Sequence, residues 1–484
     1  MTFRTFALTL SALLVPSLAF AQGTDPNRPR GAVQRAVDSL FARFANSTGP
    51  GCLVGADLHG ARLLRSAYGM ADIERAIPMR NGMVSEVGSV SKQFTAASLV
   101  LLEQDGKLSL DDPVAKYLPE FPDFRDAGGP ITIRHLLQHT SGLREMYPML
   151  ELVGRPYGEV VHSNEEVLAL MSGQRMLNFP VNSRYLYSNT NYALAALIVE
   201  QVSGQTMQAF MSARIFTPLG MPRATWRSDF RALVPNRVLS YAAAAQGEWE
   251  YALPFSNLHG SGGLLTTIDE VLRWTHALHT GRVGNGTTLA TMARPAQLTD
   301  GSLTRYGLGL MVRDWRGVFE IAHSGSTAGY RSYVAYYPAS GISVAMQCNG
   351  SNSDYVALGR SLAEVFLRGQ LLPASVVRPV RPVRPLRPLP PLVATLDSAT
   401  RASLDGVWWN DESGGSFTLT TTERGAVTRF SRTPPVTFTA ITADSLVAAN
   451  DRAIGIARDT SGHVTALRYH NGAALNIRMT RPVH

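Results

Sequence analysis

A serine and a lysine three residues apart are the clearest chemical feature of this sequence. Ser89 and Lys92 stand at the start of an apolar, helix-forming stretch that ends at Asp105-Gly106, so both side chains lie on one face of the first turn. A serine hydroxyl attacks a carbonyl when a neighbouring base takes its proton, and lysine can be that base if burial keeps its amine neutral. The pair therefore predicts nucleophilic catalysis.

Lysine is rare in this chain, which gives the pair more weight than its spacing alone. The chain has three lysines, and 42 of its 45 basic residues are arginine. Gln104 and Pro113 stand three residues before the other two lysines, so Ser89 and Lys92 form the only serine-x-x-lysine motif. The alternative is an ordinary exposed helix lysine. We favour the interpretation of Lys92 as a base. Arginine, which this chain uses at nearly every other basic position, cannot accept a proton at any working pH.

Two later motifs can supply the other groups that a serine–lysine pair needs. They are the polar triplets Tyr187-Ser188-Asn189 and His323-Ser324-Gly325. The reaction requires a second proton-transfer group, a partner that orients the lysine, and donors for the oxyanion. Each triplet alone is a weak signal, since Y-x-N is often a turn and a single histidine is more often structural.

The N-terminal residues have the pattern of a secretory signal peptide. Arg4 precedes an apolar run at 6–20, and Ala19-Phe20-Ala21 fits a cleavage site. We therefore expect a signal peptide at 1–21 and a secreted or periplasmic protein. A membrane anchor is the alternative, but the run is short and Pro16 interrupts it, and no later stretch is long enough to cross a bilayer.

Composition and charge exclude several classes of function. The 484 residues are 45% hydrophobic and 17% charged, as expected for a globular chain. Much of the net charge of +8 comes from one local run of arginines, so we expect no nucleic-acid partner. Two cysteines cannot form a zinc site alone, and His135 and His139 stand where a helix is expected to end. We predict no metal and no cofactor.

The order of predicted elements indicates one sheet assembled from both ends of a unit at 30–370. A helix at 31–45 and a hairpin at 52–68 come first, and mostly helical pieces follow at 107–260. Thr267 and Glu270 form a capping box that opens another helix. Strands and a last helix, predicted at 318–323, 330–337, 342–348 and 355–368, complete the unit.

A proline–arginine repeat divides this unit from a C-terminal β domain. Residues 373–391 favour polyproline II, which places the arginines in one row. We interpret the segment as a stiff linker, with docking to an anionic envelope polymer as the alternative. Short alternating runs within 400–484 predict a small all-β domain, most simply a barrel.

Taken in order, the three motifs resemble those of the serine β-lactamase and penicillin-binding protein superfamily, in particular the class C β-lactamase branch with its D,D-peptidase, D-aminopeptidase and esterase relatives. The resemblance covers about 30–370 and includes the stretches 135–143 and 260–264. It implies a β-lactamase-like transpeptidase fold of the α/β (α+β) class, with an antiparallel sheet, helices and a mainly helical subdomain. The following β domain is similar to the arrangement in some D-amino-acid-specific peptidases.

The resemblance also implies a role for each motif residue. Ser89 would be the acylated nucleophile, Lys92 its activating partner, and Tyr187 the general base and proton donor to the leaving group. Asn189 would orient Lys92 and the substrate amide. Further substrate-binding residues, expected on the sheet's edge strand facing the nucleophile, are His323, Ser324, Gly325 and Ser326. The backbone N–H groups of Ser89 and Ser326 would form the oxyanion hole.

His323 stands where β-lactamases usually carry a lysine. An unperturbed histidine has a pKa of about 6.5, so at neutral pH it offers a hydrogen bond rather than a charge. We therefore expect carboxylate-bearing substrates to bind weakly, and less well as pH rises through the pKa of His323. Poor β-lactam hydrolysis should follow.

The family's sheet order would place the Cys52 strand beside the Cys348 strand. An exported chain allows one disulfide between these two cysteines. The alternative is a pair of buried free thiols, and the sequence leaves both open.

These observations predict an exported serine hydrolase that acts through an acyl-enzyme on amide or ester bonds. Peptides containing D-amino acids are the first substrate hypothesis, and β-lactams or esters are the alternatives within the family. A penicillin-binding sensor or inert scaffold, acylated without turnover, is the alternative of another class. Both would use Ser89, but only the enzyme needs a path for deacylation.

Overall fold

The computed structural model describes residues 30–124, 128–351, 354–374, 394–449 and 451–482. The predicted signal peptide at 1–21 lies outside these residues. So does the predicted linker, except for residues 373 and 374. The spacer and its arginine row therefore stay predictions.

Thirteen strands belong to the described part of the first unit. In chain order they are β1 Cys52–Leu58, β2 Ala61–Tyr68, β3 Met70–Asp72, β4 Ile77–Pro78, β5 Ser85–Glu86, β6 Thr225–Trp226, β7 Tyr241–Ala243, β8 Trp249–Tyr251, β9 Leu264–Thr266, β10 Met311–Trp315, β11 Val318–Thr327, β12 Tyr330–Tyr337 and β13 Ile342–Cys348. The main sheet is antiparallel, in the order β10-β11-β12-β13-β1-β2. Because β13 pairs with β1, the prediction of one sheet built from both ends is confirmed.

Helices surround this sheet and form most of the middle of the unit. They are α1 Arg30–Leu40, α2 Lys92–Gln104, α3 Ile133–Leu137, α4 Met146–Leu152, α5 Asn164–Ser172, α6 Asn189–Ser203, α7 Met207–Met211, α8 Thr217–Leu219, α9 Ile268–His279, α10 Thr288–Met292 and α11 Tyr355–Phe366. The predicted capping box at the start of α9 is present, with Thr267 and Glu270 bonded reciprocally.

Alternate residues of β1 point into two different cores. Leu53 joins the core that contains α2, α6 and α9, while Cys52 and Val54 join the core that contains α1 and α11. This period of two is the side-chain geometry of a strand buried on both faces. The sheet is thus a covered, rigid support for the residues at its edges.

Cys52 and Cys348 form a disulfide bond. They are direct partners across β1 and β13, as the family's sheet order implied. Of the two alternatives that the sequence left open, the structure contains the bonded pair.

A second, separate sheet follows the linker. After the short helix α12 Ser398–Leu404, its strands are β14 Gly406–Trp409, β15 Ser416–Thr422, β16 Gly425–Arg429, β17 Val436–Thr442, β18 Ser445–Ala448, β19 Arg452–Arg458, β20 Val464–Asn471 and β21 Ala474–Met479. Each strand pairs with the next in antiparallel fashion. Trp409 and Thr480 exchange two backbone hydrogen bonds of 2.8 Å, which join the first and last strands into a nearly closed barrel. The predicted barrel-like β domain is confirmed.

The barrel packs directly against the helical part of the first unit. Leu152, Val167 and Met171, from α4 and α5, share one hydrophobic cluster with Trp408 and Phe417 of the barrel. The predicted stiff linker gave no indication of this contact. The two sheets are separate, but the barrel and the helices α4 and α5 of the first unit share one hydrophobic cluster.

No helix in the described ranges combines the length and apolar character that a membrane span requires.

Candidate active site

Ser89 and Lys92 lie where a short 3₁₀ turn becomes helix α2. The turn covers Gly88–Ser91, and Ser89 is the residue within it that remains partly exposed. Lys92 opens α2 and is fully buried. Its Nζ is 3.1 Å from Ser89 Oγ. The sequence prediction that the two side chains share the first turn is confirmed.

Lys92 has two further hydrogen-bond partners, and both are carbonyl oxygens. Its Nζ lies 2.8 Å from Asn189 Oδ1 and 2.7 Å from the backbone oxygen of Ser261. A neutral amine has two N–H donors and one lone pair. If the two carbonyls take the two N–H groups, the lone pair is left for the hydroxyl proton of Ser89.

Burial makes this neutral form accessible near physiological pH. Desolvation lowers the pKa of Lys92 to about 7, against the opposing attraction of Glu145. The aromatic faces of Tyr187 and Tyr192 lie 4.8 and 5.5 Å from Nζ. A lysine with this pKa can exchange a proton during a reaction at neutral pH.

The Ser261 carbonyl belongs to a glycine-rich loop at 260–264, a stretch that carries part of the family resemblance and for which no role was predicted. The loop leads into β9, which pairs with β5 just before the serine turn. The Ser91 hydroxyl accepts the N–H of Leu264, and the Thr95 hydroxyl donates to the oxygen of Gly260 at 2.8 Å. These bonds hold the loop against α2 and aim the Ser261 oxygen at Lys92.

Tyr187 reaches the pair from the segment that precedes α6. Its ring lies 4.2 Å from the ring of His139, which also accepts the N–H of Ser188 at 3.2 Å. Burial of the phenol raises the pKa of Tyr187 well above 10, and a hydrogen bond with Ser89 opposes that rise only in part. Tyr187 is therefore a neutral phenol at pH 7 that can donate a proton.

Asn189 is the first residue of α6 and is held from both sides. Its Oδ1 accepts from Lys92, while its backbone N–H and its Nδ2 donate to Glu145, at 2.5 and 3.0 Å. Sequence reasoning missed Glu145, because a glutamate that follows Arg144 and precedes Met146 belongs to no motif with a distinctive spacing.

The backbone around Ser89 and Ser326 is in close contact, as an oxyanion hole requires. Gly88 has φ +51°, and a Cβ there would lie 2.8 Å from the nitrogen of Ser326. A Cβ on Gly325 would lie 3.0 Å from the nitrogen of Ser89. The Ser332 hydroxyl donates to the oxygen of Val87 at 2.6 Å, which fixes the turn to the sheet.

The segment 323–327 lies within β11, and the expectation that β11 is the edge strand is wrong. The outermost strand is β10, but it pairs only with Val318–Ala322 of β11. Beyond that point β11 extends past its neighbour, so its remaining residues face the serine turn. Ser324 and Ser326 are at least partly exposed there, and Gly325 is buried.

His323 does not face the substrate side as expected. It is 1% exposed, its Nδ1 donates to the oxygen of Ser324 at 2.7 Å, and its Nε2 accepts from the hydroxyl of Tyr306 at 2.8 Å. Burial, with the nearby charge of Lys92, lowers the pKa of His323 to about 3. The loss of carboxylate binding as pH rises through a pKa near 6.5 stays a prediction, and a buried ring with a lowered pKa and two hydrogen-bonded nitrogens argues against it.

No group of three or more His, Cys, Asp or Glu side chains suited to a metal occurs within the part of the chain that the structure describes. His135 accepts the backbone N–H of Thr132 through its Nδ1. His139 has the contacts with Ser188 and Tyr187 described above. The two histidines thus serve local structure.

Fold and site together define a serine hydrolase of the β-lactamase type. Residues 37–366 match the family model described as Beta-lactamase, and the chain belongs to this family. A similar protein is a D-aminopeptidase from Gluconobacter oxydans, 28% identical over 331 residues that cover 68% of this chain and 61% of the relative. The match thus spans less than two thirds of that relative's length.

Two solved structures have the same fold. The octameric penicillin-binding protein homologue from Pyrococcus abyssi has a TM-score of 0.62 at 20% identity and covers 93% of this chain and 99% of its own. The D-amino acid amidase from Ochrobactrum anthropi, complexed with D-phenylalanine, has a TM-score of 0.57 at 22% identity, with 69% and 98% covered. The similarity to the first structure extends through the barrel. The similarity to the second covers a share of the chain that corresponds to the unit at 30–370.

Proposed function

We propose that the protein is an exported peptidase that hydrolyses peptides containing D-amino acids, with Ser89 as its nucleophile. The observation that carries the proposal is the set of contacts at Lys92. In the neutral amine, the two carbonyl oxygens can accept both N–H groups, which leaves the lone pair for the hydroxyl of Ser89, 3.1 Å away. This arrangement makes the lysine a base rather than a structural cation.

In the proposed acylation, Ser89 Oγ forms a bond to the carbonyl carbon of the substrate as its proton passes to Lys92 Nζ. The developing oxyanion accepts hydrogen bonds from the backbone N–H groups of Ser89 and Ser326. The carbon–nitrogen bond of the substrate then breaks, and the leaving amine takes up a proton. The product of this half-reaction is an ester on Ser89.

Tyr187 is the proposed donor of that proton. Because burial keeps its phenol neutral, Tyr187 can pass its proton to the leaving amine while recovering one from Lys92. The resemblance made Tyr187 the general base as well. We assign the base role in acylation to Lys92, whose pKa of about 7 suits it better.

Deacylation repeats these steps with water in place of the amine. Water attacks the ester, its proton passes through Tyr187 and Lys92, and Ser89 recovers its hydroxyl proton. The path distinguishes an enzyme from a sensor that remains acylated.

The proposed substrate class is supported by the relatives and by His323. A D-aminopeptidase and a D-amino acid amidase are among the similar proteins. His323 is buried and neutral where β-lactamases carry a lysine, so this position supplies no fixed charge for a substrate carboxylate. Amides that lack this carboxylate fit such a site better than β-lactams do.

Export is supported by the Cys52–Cys348 disulfide, because such bonds persist mainly in oxidising compartments. Mass spectrometry of the protein from its native host tests this part. A mature chain beginning at Gln22 is expected, and a cytoplasmic protein that retains Met1 would contradict export.

Matched D- and L-aminoacyl amides with a chromogenic leaving group test the activity, with Ser89→Ala as control. We expect continuous turnover with at least about tenfold preference for the D-amide in kcat/KM. Equal turnover of the two series would contradict the D-specificity. A lasting adduct without turnover would instead identify a sensor.

A further inference from the structure

Glu145 is a buried carboxylate in direct contact with the site, and the mechanism above gives it no role. It is 7% exposed, and both of its oxygens accept hydrogen bonds from Asn189. One of these donors is the first backbone N–H of the 15-residue helix α6. A carboxylate at a helix N-terminus is favoured by the helix dipole. Glu145 therefore caps the helix that carries Asn189.

This contact determines which end of the Asn189 amide faces Lys92. A carboxylate can only accept, so it must meet the NH₂ end of the amide, and Oδ1 is left to face Lys92 at 2.8 Å. A reversed amide would direct an N–H group at Lys92. That group would compete with Ser89 for the lone pair of the amine.

The barrel holds Glu145 in place through the turn between β20 and β21 and the start of β21, residues 472–475. The backbone N–H of Glu145 donates to the oxygen of Ala473 at 3.2 Å. Asn178 donates to the same oxygen and accepts the N–H of Leu475, each at 2.8 Å. The neighbouring Arg144 is buried and pairs with Glu412 of the barrel.

We propose that Glu145 is a positioning residue that fixes the Asn189 amide against Lys92, and that the barrel turn at 472–475 holds Glu145 for this purpose. The inference rests on the Ser89–Lys92 mechanism proposed above. It makes the C-terminal barrel a working part of the active site.

A pH profile separates this role from general structural support. The polar groups that face Lys92 are Ser89, Glu145, Asn189, Ser261, Tyr187, Tyr192, His139 and His323. Glu145 is the only carboxylate among them. Burial raises the pKa of Glu145, and hydrogen bonds from Asn189 together with the charge of Lys92 oppose that rise. In its charged form Glu145 favours protonated Lys92, so its removal lowers the pKa of Lys92 and moves the acid limb of the acylation rate to lower pH.

Three variants of full-length protein divide charge from geometry, with acylation by a chromogenic ester as the readout. Glu145→Gln should lower the plateau rate about 10²-fold, since its own NH₂ group permits the reversed amide, and should shift the acid limb down by about one pH unit. Glu145→Asp keeps the charge but shortens the reach, so we expect a lower plateau and an unshifted limb. Asn178→Ala loosens the barrel turn and should behave like Glu145→Asp.

Glu151→Gln is the matched control. Glu151 also joins the helical part to the barrel, through Arg452 and Asn471 at 3.0 Å, but it does not contact Asn189. This variant should keep both the plateau acylation rate and the acid limb of the wild-type protein. In an Asn189→Ala background, Glu145→Gln should change the plateau rate less than twofold, because its effect on the plateau passes through Asn189.

The proposal would be overturned if Glu145→Gln left both the plateau acylation rate and the acid limb of the pH profile unchanged. It would also be overturned if Glu145→Gln lowered the plateau rate of the Asn189→Ala variant by the same factor as that of the wild type. The same limb shift in Glu151→Gln would assign the effect to the interface in general. Failure of the proposed function is separately visible, since wild-type protein that turns over the ester without a Ser89 adduct would refute the mechanism itself.

Discussion

At the scale of single residues, the chemistry depends on one buried lysine, Lys92, that can lose its proton near neutral pH. Lys92→Arg should therefore lower the acylation rate about 10²–10⁴-fold, because a guanidinium keeps the charge but cannot take a proton. Stopped-flow acylation with a chromogenic ester measures the effect. Lys107→Arg, at an exposed position just after α2, is the matched control and should have the wild-type rate. Near-normal acylation by Lys92→Arg would remove lysine from the mechanism.

The pKa of Lys92 predicts the pH dependence of the free enzyme. Neutral Lys92 is the active form and its pKa is about 7, so kcat/KM should rise about tenfold per pH unit below 7 and level off above it. His323 stays neutral in this range, so matched substrates with and without a carboxylate should have the same acid limb. If the pH profile of kcat/KM had a second limb only for the substrate with the carboxylate, His323 would be shown to titrate in the active site.

The residues with chemistry of their own could be predicted from sequence, and their supporting partners could not. Ser89 and Lys92 are one turn apart, so local spacing identifies them. Glu145 and the Ser261 carbonyl reach Lys92 only through tertiary folding. The burial of His323 has the same origin, since Tyr306, which donates to its Nε2, also reaches it only through tertiary folding.

At the scale of elements, the positive φ of Gly88 lets the serine turn approach β11. Gly88→Ala should displace the nitrogens of Ser89 and Ser326, because the new Cβ would lie 2.8 Å from the latter. We expect about a 10²-fold slower acylation. Gly106→Ala, with φ +68° and nothing within 4 Å, is the control. It should lose about 1–2 kcal/mol of unfolding free energy and keep its rate. Equal acylation rates in Gly88→Ala and Gly106→Ala would contradict a close-packed oxyanion hole.

Elements with clear periodicity were predicted well, and those at the site extend beyond their predicted ends. The strands Tyr330–Tyr337 and Ile342–Cys348 agree with the prediction to the residue. In contrast, β11 continues to Thr327 rather than 323, and α6 begins at Asn189, ahead of the apolar run that starts at 193. Polar motif residues occupy both extensions, so hydrophobic periodicity could not reveal them.

At the scale of the whole molecule, the Cys52–Cys348 bond closes a loop with a sequence separation of 296. Replacing both cysteines by serine should lower the free energy of unfolding by roughly 5–6 kcal/mol in the chain-entropy model. Urea denaturation measures the loss, and the acylation rate at 25 °C should stay unchanged. Two free thiols in the denatured, unreduced wild-type protein would contradict the bond.

The packing of the barrel on the catalytic unit lay beyond sequence reasoning. Alternation identified strands such as Ala474–Met479, but shorter ones, including Gly406–Trp409 and Ser445–Ala448, lack enough residues for a clear period. The contact itself depends on α4 and α5 meeting Trp408 and Phe417. Neither surface carries a local signal for its partner.

The central claim is that Ser89 carries an acyl group during turnover. Rapid quench of the wild-type protein with a slow ester or a β-lactam, followed by intact mass and peptide mapping, tests it directly. The account predicts a single adduct on the peptide that contains Ser89, which forms and decays during turnover and is absent in Ser89→Ala. Undiminished turnover by Ser89→Ala, or an adduct on another residue, would contradict it.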